Sequence, residues 1–68
     1  MITKMRALRS TLRELGFVSR PGRGSHEVWM DPEQPRRRVV LYGKSGNDAP
    51  RYLGTRVRKF RRGMMMYR

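Results

Sequence analysis

The sequence contains no cysteine and only one histidine, His26. Without thiols the chain can form no disulfide, no thiolate nucleophile and no zinc site of the usual kind, and a single imidazole cannot surround a metal ion. The sequence therefore predicts a protein with no metal and no other cofactor. The lack of cysteine also fits a reducing compartment.

Long apolar segments are missing as well. Uncharged runs such as Val39 to Gly43 are far shorter than the roughly 20 residues that a helix needs to cross a bilayer. The first residues carry no apolar block of the kind found in a signal peptide. We therefore expect a soluble, cytoplasmic protein that does not associate with a membrane.

Acidic residues are scarce. Five Asp and Glu stand against 17 Lys and Arg, which gives a formal net charge of +12 and a pI near 11.8. Most of the excess lies in residues 35–68, which carry eleven basic residues and one acidic residue. Residues 16–34 carry two basic and three acidic residues. Such a charge attracts polyanions. The composition favours nucleic acid as a partner, with an acidic protein as the alternative, and the two do not exclude each other.

The 68 residues suffice for one small core, so we predict a single domain over 1–68 with its core in about 3–62. Apolar residues recur at helical spacing near the start: Met5, Leu8, Leu12 and Leu15. They predict a helix over residues 3–15 that Thr3 caps and Gly16 ends. Its cations should lie off the apolar stripe: Lys4, Arg6, Arg9 and Arg13.

The remaining pattern predicts three antiparallel strands and a closing helix. We expect strands at residues 17–20, 26–30 and 37–42, a turn at 21–24 and a loop at 43–50. A helix should cover 51–62 and end at Gly63. Residues 63–68 should form a tail that packs on a neighbour or frays, and packing on the chain's own core is the more common alternative for such a run. The result is an α+β fold, helix-strand-strand-strand-helix, with both helices on one face of the sheet.

Four side chains carry specific structural expectations. Leu12 and Val40 should belong to the core. Trp29 should lie on the opposite face from His26 and pack rather than stack on bases. For Tyr42, packing and stacking are equally open.

His26 follows a turn rich in glycine, within the stretch GRGSHEVW. Surrounding cations should favour its neutral form, which a general base requires. Gly22 and Gly24 allow close approach of a phosphate, Ser25 adds a hydroxyl, and Arg20 and Arg23 can neutralise charge. These residues suit metal-free RNA cleavage, in which a base removes the 2′-hydroxyl proton. A half-buried packing role is the alternative for a lone histidine.

Three stretches resemble the HicA family of toxins: LRELGF at 12–17, RGSHEVW at 23–29 and the basic strand at 36–42. Gly54-Thr55 stands where such chains often begin their closing helix. The resemblance implies a fold similar to double-stranded RNA-binding domains, mRNA cleavage with His26 as the essential catalytic residue, and an antitoxin partner of the HicB type. HicA-like chains commonly have a second histidine after the third strand, where this sequence has Lys44 nearby.

We therefore predict a HicA-like mRNA endoribonuclease in which His26, Ser25 and Lys44 form the catalytic site. The alternative is a non-catalytic module of the same fold that binds nucleic acid or an acidic protein. The RNA backbone should be held by Gly24 and by a set of cations: Arg20, Arg23, Arg36, Arg37, Arg38, Arg51, Arg56, Arg58, Lys59 and Arg62.

Overall fold

The computed structural model describes the backbone of residues 3–66 and the side chains of residues 3–62. Its elements are α1 (Met5–Glu14), β1 (Val18–Pro21), β2 (Glu27–Met30), β3 (Arg38–Leu41) and α2 (Arg51–Met66). The strands form one antiparallel sheet in the order β1-β2-β3. The predicted α+β fold, helix-strand-strand-strand-helix, is confirmed. Within residues 3–66, neither helix combines the length and apolar character needed to cross a bilayer.

The core lies between the helices and one face of the sheet. Among residues 3–62 it contains nine buried apolar side chains: Met5, Leu8, Leu12, Phe17, Trp29, Val39, Leu41, Leu53 and Val57. The predicted core position of Leu12 and the packing role of Trp29 are both confirmed, with exposed fractions of 0% and 4%.

The predicted core position of Val40 is wrong. Side chains alternate between the two faces of a strand, and β3 buries Val39 and Leu41 while Val40 is 45% exposed. Val40 pairs with Val28 of β2, so both point to the sheet face that the helices leave open. A run of three apolar residues does not reveal by itself which alternate positions face the helices.

The end of α1 follows the sequence prediction, but its beginning does not. Gly16 has φ +89°, and the Gly16 and Phe17 N–H groups bond to the carbonyls of Arg13 and Leu12, which is the Schellman arrangement. The N-cap is Lys4, without a side-chain cap, so the predicted Thr3 cap is wrong. Carbonyl groups of the loop after β3 take the place of a side-chain cap, because they accept the free N–H groups of the first turn.

The turn between β1 and β2 lies later than predicted. Pro21 belongs to β1 and pairs with Glu27, so the reversal runs from Arg23 to His26 rather than over residues 21–24. The His26 N–H bonds to the Arg23 carbonyl at 2.8 Å, and Gly24 has φ +55°. This backbone conformation favours glycine.

The closing helix is longer than predicted. Gly63 does not end α2, which continues to Met66. Glycine costs only about 1 kcal/mol inside a helix, and the three methionines that follow are good helix formers. The predicted tail at 63–68 therefore begins as helix. The predicted packing of Met64, Met65 and Met66 concerns side chains outside the described residues.

Candidate functional site

His26 stands exposed at the beginning of β2. Its carbonyl accepts the Gly22 N–H at 2.9 Å, and its ring meets the Tyr42 ring edge-on, with centroids 5.5 Å apart and planes at 75°. The half-buried packing alternative for His26 is therefore wrong. The imidazole is open to a ligand on the sheet face that carries Val28 and Val40.

The turn before His26 leaves its candidate partners open to solvent. Arg23, Gly24 and Ser25 are all exposed. The bond from the His26 N–H to the Arg23 carbonyl closes the turn around Gly24 and Ser25. One exposed hydroxyl, one guanidinium and one imidazole thus lie within four consecutive residues of a tight turn.

Arg9 connects this end of the sheet to α1 and to the loop after β3. Contrary to the expectation that it lies off the apolar stripe, Arg9 is buried, with 8% of its surface exposed. Its Nε donates to Glu27 Oε1 at 2.6 Å, Nη1 to Ser45 Oγ at 3.1 Å, and Nη2 to the Gly43 carbonyl at 2.7 Å. One guanidinium therefore ties the residue after His26 to both neighbours of Lys44.

Sequence reasoning missed this network. The available signal was position, since Arg9 lies four residues after Met5 and three before Leu12, a spacing that places all three on one side of a helix. The residue type argued against burial, because arginine is seldom buried unless it is paired. The carboxylate that pairs with it lies 18 residues away.

The Glu27 carboxylate accepts hydrogen bonds from both Arg9 and the indole of Trp29. Trp29 Nε1 donates to Glu27 Oε1 at 2.8 Å. Burial on its own would raise the pKa of Glu27, but the hydrogen bonds from Arg9 and Trp29, with the charges of Arg9 and Arg13, outweigh burial and hold that pKa below its ordinary value. The carboxylate stays ionised as the anchor of Arg9.

Lys44 lies at the same end of the sheet as His26. Tyr42 follows the last residue of β3 and sits across from His26, and Lys44 is exposed in the loop two residues later. The Lys44 carbonyl accepts the Asn47 N–H at 3.0 Å. The same loop accepts N–H groups of α1 through the Ser45 and Asn47 carbonyls, so the loop backbone is anchored while the Lys44 side chain is open to solvent.

The predicted RNA-binding cations fall into two groups. Most are exposed on the open sheet face, its loops or α2: Arg20, Arg23, Arg36, Arg38, Arg51, Arg56, Arg58, Lys59 and Arg62. Arg37 differs, because it is half-buried and its Nη2 donates to the Phe60 carbonyl at 2.6 Å. Its guanidinium also lies over the Phe17 and Phe60 rings. RNA contact by Arg37 would compete with this packing.

Arg56 and Arg38 come together where α2 passes the edge of the sheet. Both Nε and Nη2 of Arg56 donate to the Arg38 carbonyl, at 3.2 and 2.8 Å. This carbonyl belongs to β3, an outer strand of the sheet. The bond brings two of the predicted RNA-binding cations to one surface.

Tyr52 adjoins the site although sequence reasoning did not include it. Its hydroxyl lies 3.3 Å from that of Tyr42, and it is 62% exposed. This hydrogen bond, followed by burial, raises the pKa of Tyr42 above its ordinary value. The signal in the sequence was that Tyr52 precedes Leu53, which begins the apolar stripe of α2, and therefore lies off that stripe.

No family model matches the sequence, and no curated protein matches it. The resemblance to HicA toxins therefore rests on the quoted motifs, and family membership stays a prediction.

Proposed function

We propose that this protein is a HicA-like mRNA endoribonuclease that cleaves RNA without a metal ion, with His26 as general base. The observation that supports it is the position of His26. Its exposed imidazole follows a glycine-serine turn and meets the ring of Tyr42, two residues before Lys44, in a strongly basic chain.

The reaction uses the ribose 2′-hydroxyl as nucleophile. His26 accepts the hydroxyl proton while O2′ forms a bond to the adjacent phosphorus, and the bond from phosphorus to O5′ breaks. The leaving O5′ takes a proton from water, and His26 returns its own to solvent. The upstream fragment then ends in a 2′,3′-cyclic phosphate, and the downstream fragment begins with a 5′-hydroxyl.

The neighbours of His26 handle the phosphate charge. Arg23 and Lys44 stabilise the negative charge that grows on the phosphoryl oxygens, and Gly24 and Ser25 shape the space beside them. This division of work needs no second histidine. The cations of β3 and α2 bind RNA phosphates that lie farther along the strand from the bond that breaks. They contact phosphates rather than base edges.

A toxin of this type would be held inactive by an acidic antitoxin of the HicB type. The net charge of +12 supports such a partner, because it attracts an acidic protein as well as RNA. An mRNA substrate would place the protein in the cytoplasm.

The test compares the parent with His26→Ala on one RNA, with and without EDTA. The parent should cleave in both conditions and leave a cyclic phosphate, and a 2′-deoxy substitution at the cut position should block it. His26→Ala should lose cleavage yet bind RNA within about twofold, because its cations are unchanged. Val18→Ala, which is exposed on the same open sheet face but on β1, the outer strand opposite β3, is the matched control and should cleave like the parent.

Three results would contradict the proposal. Equal cutting by parent and His26→Ala would mean that the base lies elsewhere or that the activity is a contaminant. Loss of cleavage in EDTA would require a metal. Intact RNA that the parent nevertheless binds would favour the non-catalytic binding module.

A further inference from the structure

Three aromatic side chains form a row in space at one end of the molecule: His26, Tyr42 and Tyr52. We call them the aromatic strip. The His26 and Tyr42 rings are 5.5 Å apart, and the Tyr42 and Tyr52 hydroxyls are 3.3 Å apart. The strip thus leads from the proposed catalytic base, across the end of β3, to the first turn of α2.

Tyr52 is more exposed than the other exposed large apolar side chains of the described residues, Val18, Val40 and Tyr42. Its exposed fraction is 62%, against 36% for Tyr42. The contact with Tyr42 joins the two hydroxyl groups at 3.3 Å, so it involves the edge of the Tyr52 ring. The core does not account for Tyr52, because its neighbour Leu53 faces the core instead.

Cations surround this ring. Tyr52 lines an open groove of about 570 Å³ together with Arg51, Thr55, Arg56 and Lys59. A second groove joins Tyr52 and Arg56 to Arg38 and Val40 at the edge of the sheet. Tyr52 therefore stands between two grooves, and a guanidinium of α2 borders both.

An exposed aromatic ring bordered by cations fits an unpaired nucleotide. Every base has a flat face that can stack on tyrosine, while the adjoining phosphates pair with Arg and Lys. In a duplex the bases are already stacked and paired, so they cannot reach an aromatic side chain on a protein surface. The RNA that contacts Tyr52 should therefore be single-stranded. This holds even if the other protein contacts are made only to phosphates.

We infer that Tyr52, supported by Tyr42, stacks an unpaired base of the RNA near the strand cut at His26, and that Arg51, Arg56 and Lys59 hold the phosphates beside that base. This inference rests on the proposed function, because it takes RNA as the ligand. It adds that the segment beside the cut is single-stranded.

The test measures binding rather than cleavage, in a His26→Ala background that leaves the RNA intact. The probes are a 12-nucleotide RNA with one 2-aminopurine, and the same strand annealed to its complement. Tyr52→Ala should weaken binding of the single strand by about five- to 150-fold and restore the 2-aminopurine fluorescence that stacking quenches. Tyr52→Phe keeps the ring and should stay within about threefold of the parent.

Two comparisons separate stacking from charge. Binding of the duplex should change less than twofold in Tyr52→Ala, and the salt dependence of single-strand binding should keep its slope because no charge is lost. Lys59→Gln is the matched control on the same groove and should lower that slope by about 0.7.

Unchanged single-strand affinity in Tyr52→Ala, or equal losses for single strand and duplex, would overturn the inference while leaving cleavage by His26 open to its own test. If the protein binds the RNA through Tyr52 but the parent never cleaves, the stacking of an unpaired base on Tyr52 stands, whereas the endoribonuclease proposal and the position of that base beside a cut both fail. If neither RNA binds at all, both fail.

Discussion

Arg9 shows what a single buried charge does in this protein. Its guanidinium has three protein acceptors on two other parts of the chain, and its side chain is 10% exposed. Removing a polar partner from such a network is costly, because the groups left behind lose a bond that water cannot fully replace. Glu27 immediately follows His26, so the same bonds that stabilise the fold also hold the proposed active site in place.

We predict that Arg9→Met lowers the free energy of unfolding by about 2 kcal/mol at neutral pH. The value lies below the roughly 3 to 5 kcal/mol for a fully buried ion pair, because the Glu27 side chain is 31% exposed. Arg6→Met, an exposed residue one turn earlier, should cost less than about 0.5 kcal/mol. Urea unfolding of both variants measures the difference, and equal losses would contradict this reading.

The same pair predicts how stability depends on pH. The pKa of Glu27 is lower in the folded protein than the ordinary glutamate value of 4.5. The carboxylate therefore stabilises the fold above that value, and this contribution disappears as the pH falls through the folded pKa. The parent should lose stability on acidification below about pH 4.5, and Arg9→Met should lose less. Urea midpoints from pH 7 down to pH 3 would show it, and parallel curves for the two proteins would refute it.

At the scale of elements, the sequence predicts helices through spacing but their ends only through local signals. Gly16 ends α1 as expected, since a left-handed residue after a helix favours glycine. Gly63 led to a similar prediction, which is wrong because α2 continues to Met66. Glycine ends a helix only when the chain adopts the left-handed conformation there. The start of α1 could not be predicted either, since its N–H groups bond to carbonyls some 40 residues away.

Two glycines should respond to alanine in opposite directions. Gly16 has φ +89°, so Gly16→Ala should destabilise by about 1 kcal/mol. Gly54 lies inside α2, has no positive φ, and an added Cβ there would have no atom within 4 Å apart from its chain neighbours and the nearby backbone of the same helix. Gly54→Ala should therefore stabilise by about 0.5 to 1 kcal/mol. Thermal unfolding measures both, and a shared sign would contradict the backbone assignments.

The charge of the whole molecule is arranged by its fold. Residues 35–68, which carry eleven of the 17 basic residues, supply β3 and α2, and these two elements pack against each other. Most of the predicted RNA-binding cations on them are exposed. The molecule thus concentrates positive charge on adjoining surfaces, where a single polyanion can contact several cations at once.

RNA affinity should consequently depend steeply on salt. With about six phosphate contacts, raising the salt from 50 to 200 mM should weaken binding about a thousandfold, because each contact releases counterions. Arg58→Glu, exposed on α2, should weaken binding and reduce the slope. Arg6→Glu makes the same charge change on α1 and should have a smaller effect. Titrations of fluorescent RNA at four salt concentrations test this.

Equal effects of the two charge reversals would mean that net charge, and not the surface formed by β3 and α2, determines binding. Affinity that does not change with salt would indicate a protein interface instead of an RNA surface.

The order of elements, the apolar stripe of α1 and the excess of charge could all be predicted from the sequence. These follow from spacing and composition, which act over a few residues at a time. It also singled out His26, since a lone imidazole after a glycine-rich turn is visible without a fold. His26 is exposed as its predicted role requires, but cleavage itself remains a proposal.

The burial of each face and the contacts between distant side chains became visible only in the folded protein. Val40 is exposed while Val39 and Leu41 are buried, because the helices cover one face of β3 and the sequence does not state which. The burial of Arg9 depends on Glu27 and on a loop more than 30 residues away, and the meeting of Tyr42 with Tyr52 depends on how α2 follows the sheet. Such contacts join residues that are distant along the chain, so no local pattern records them.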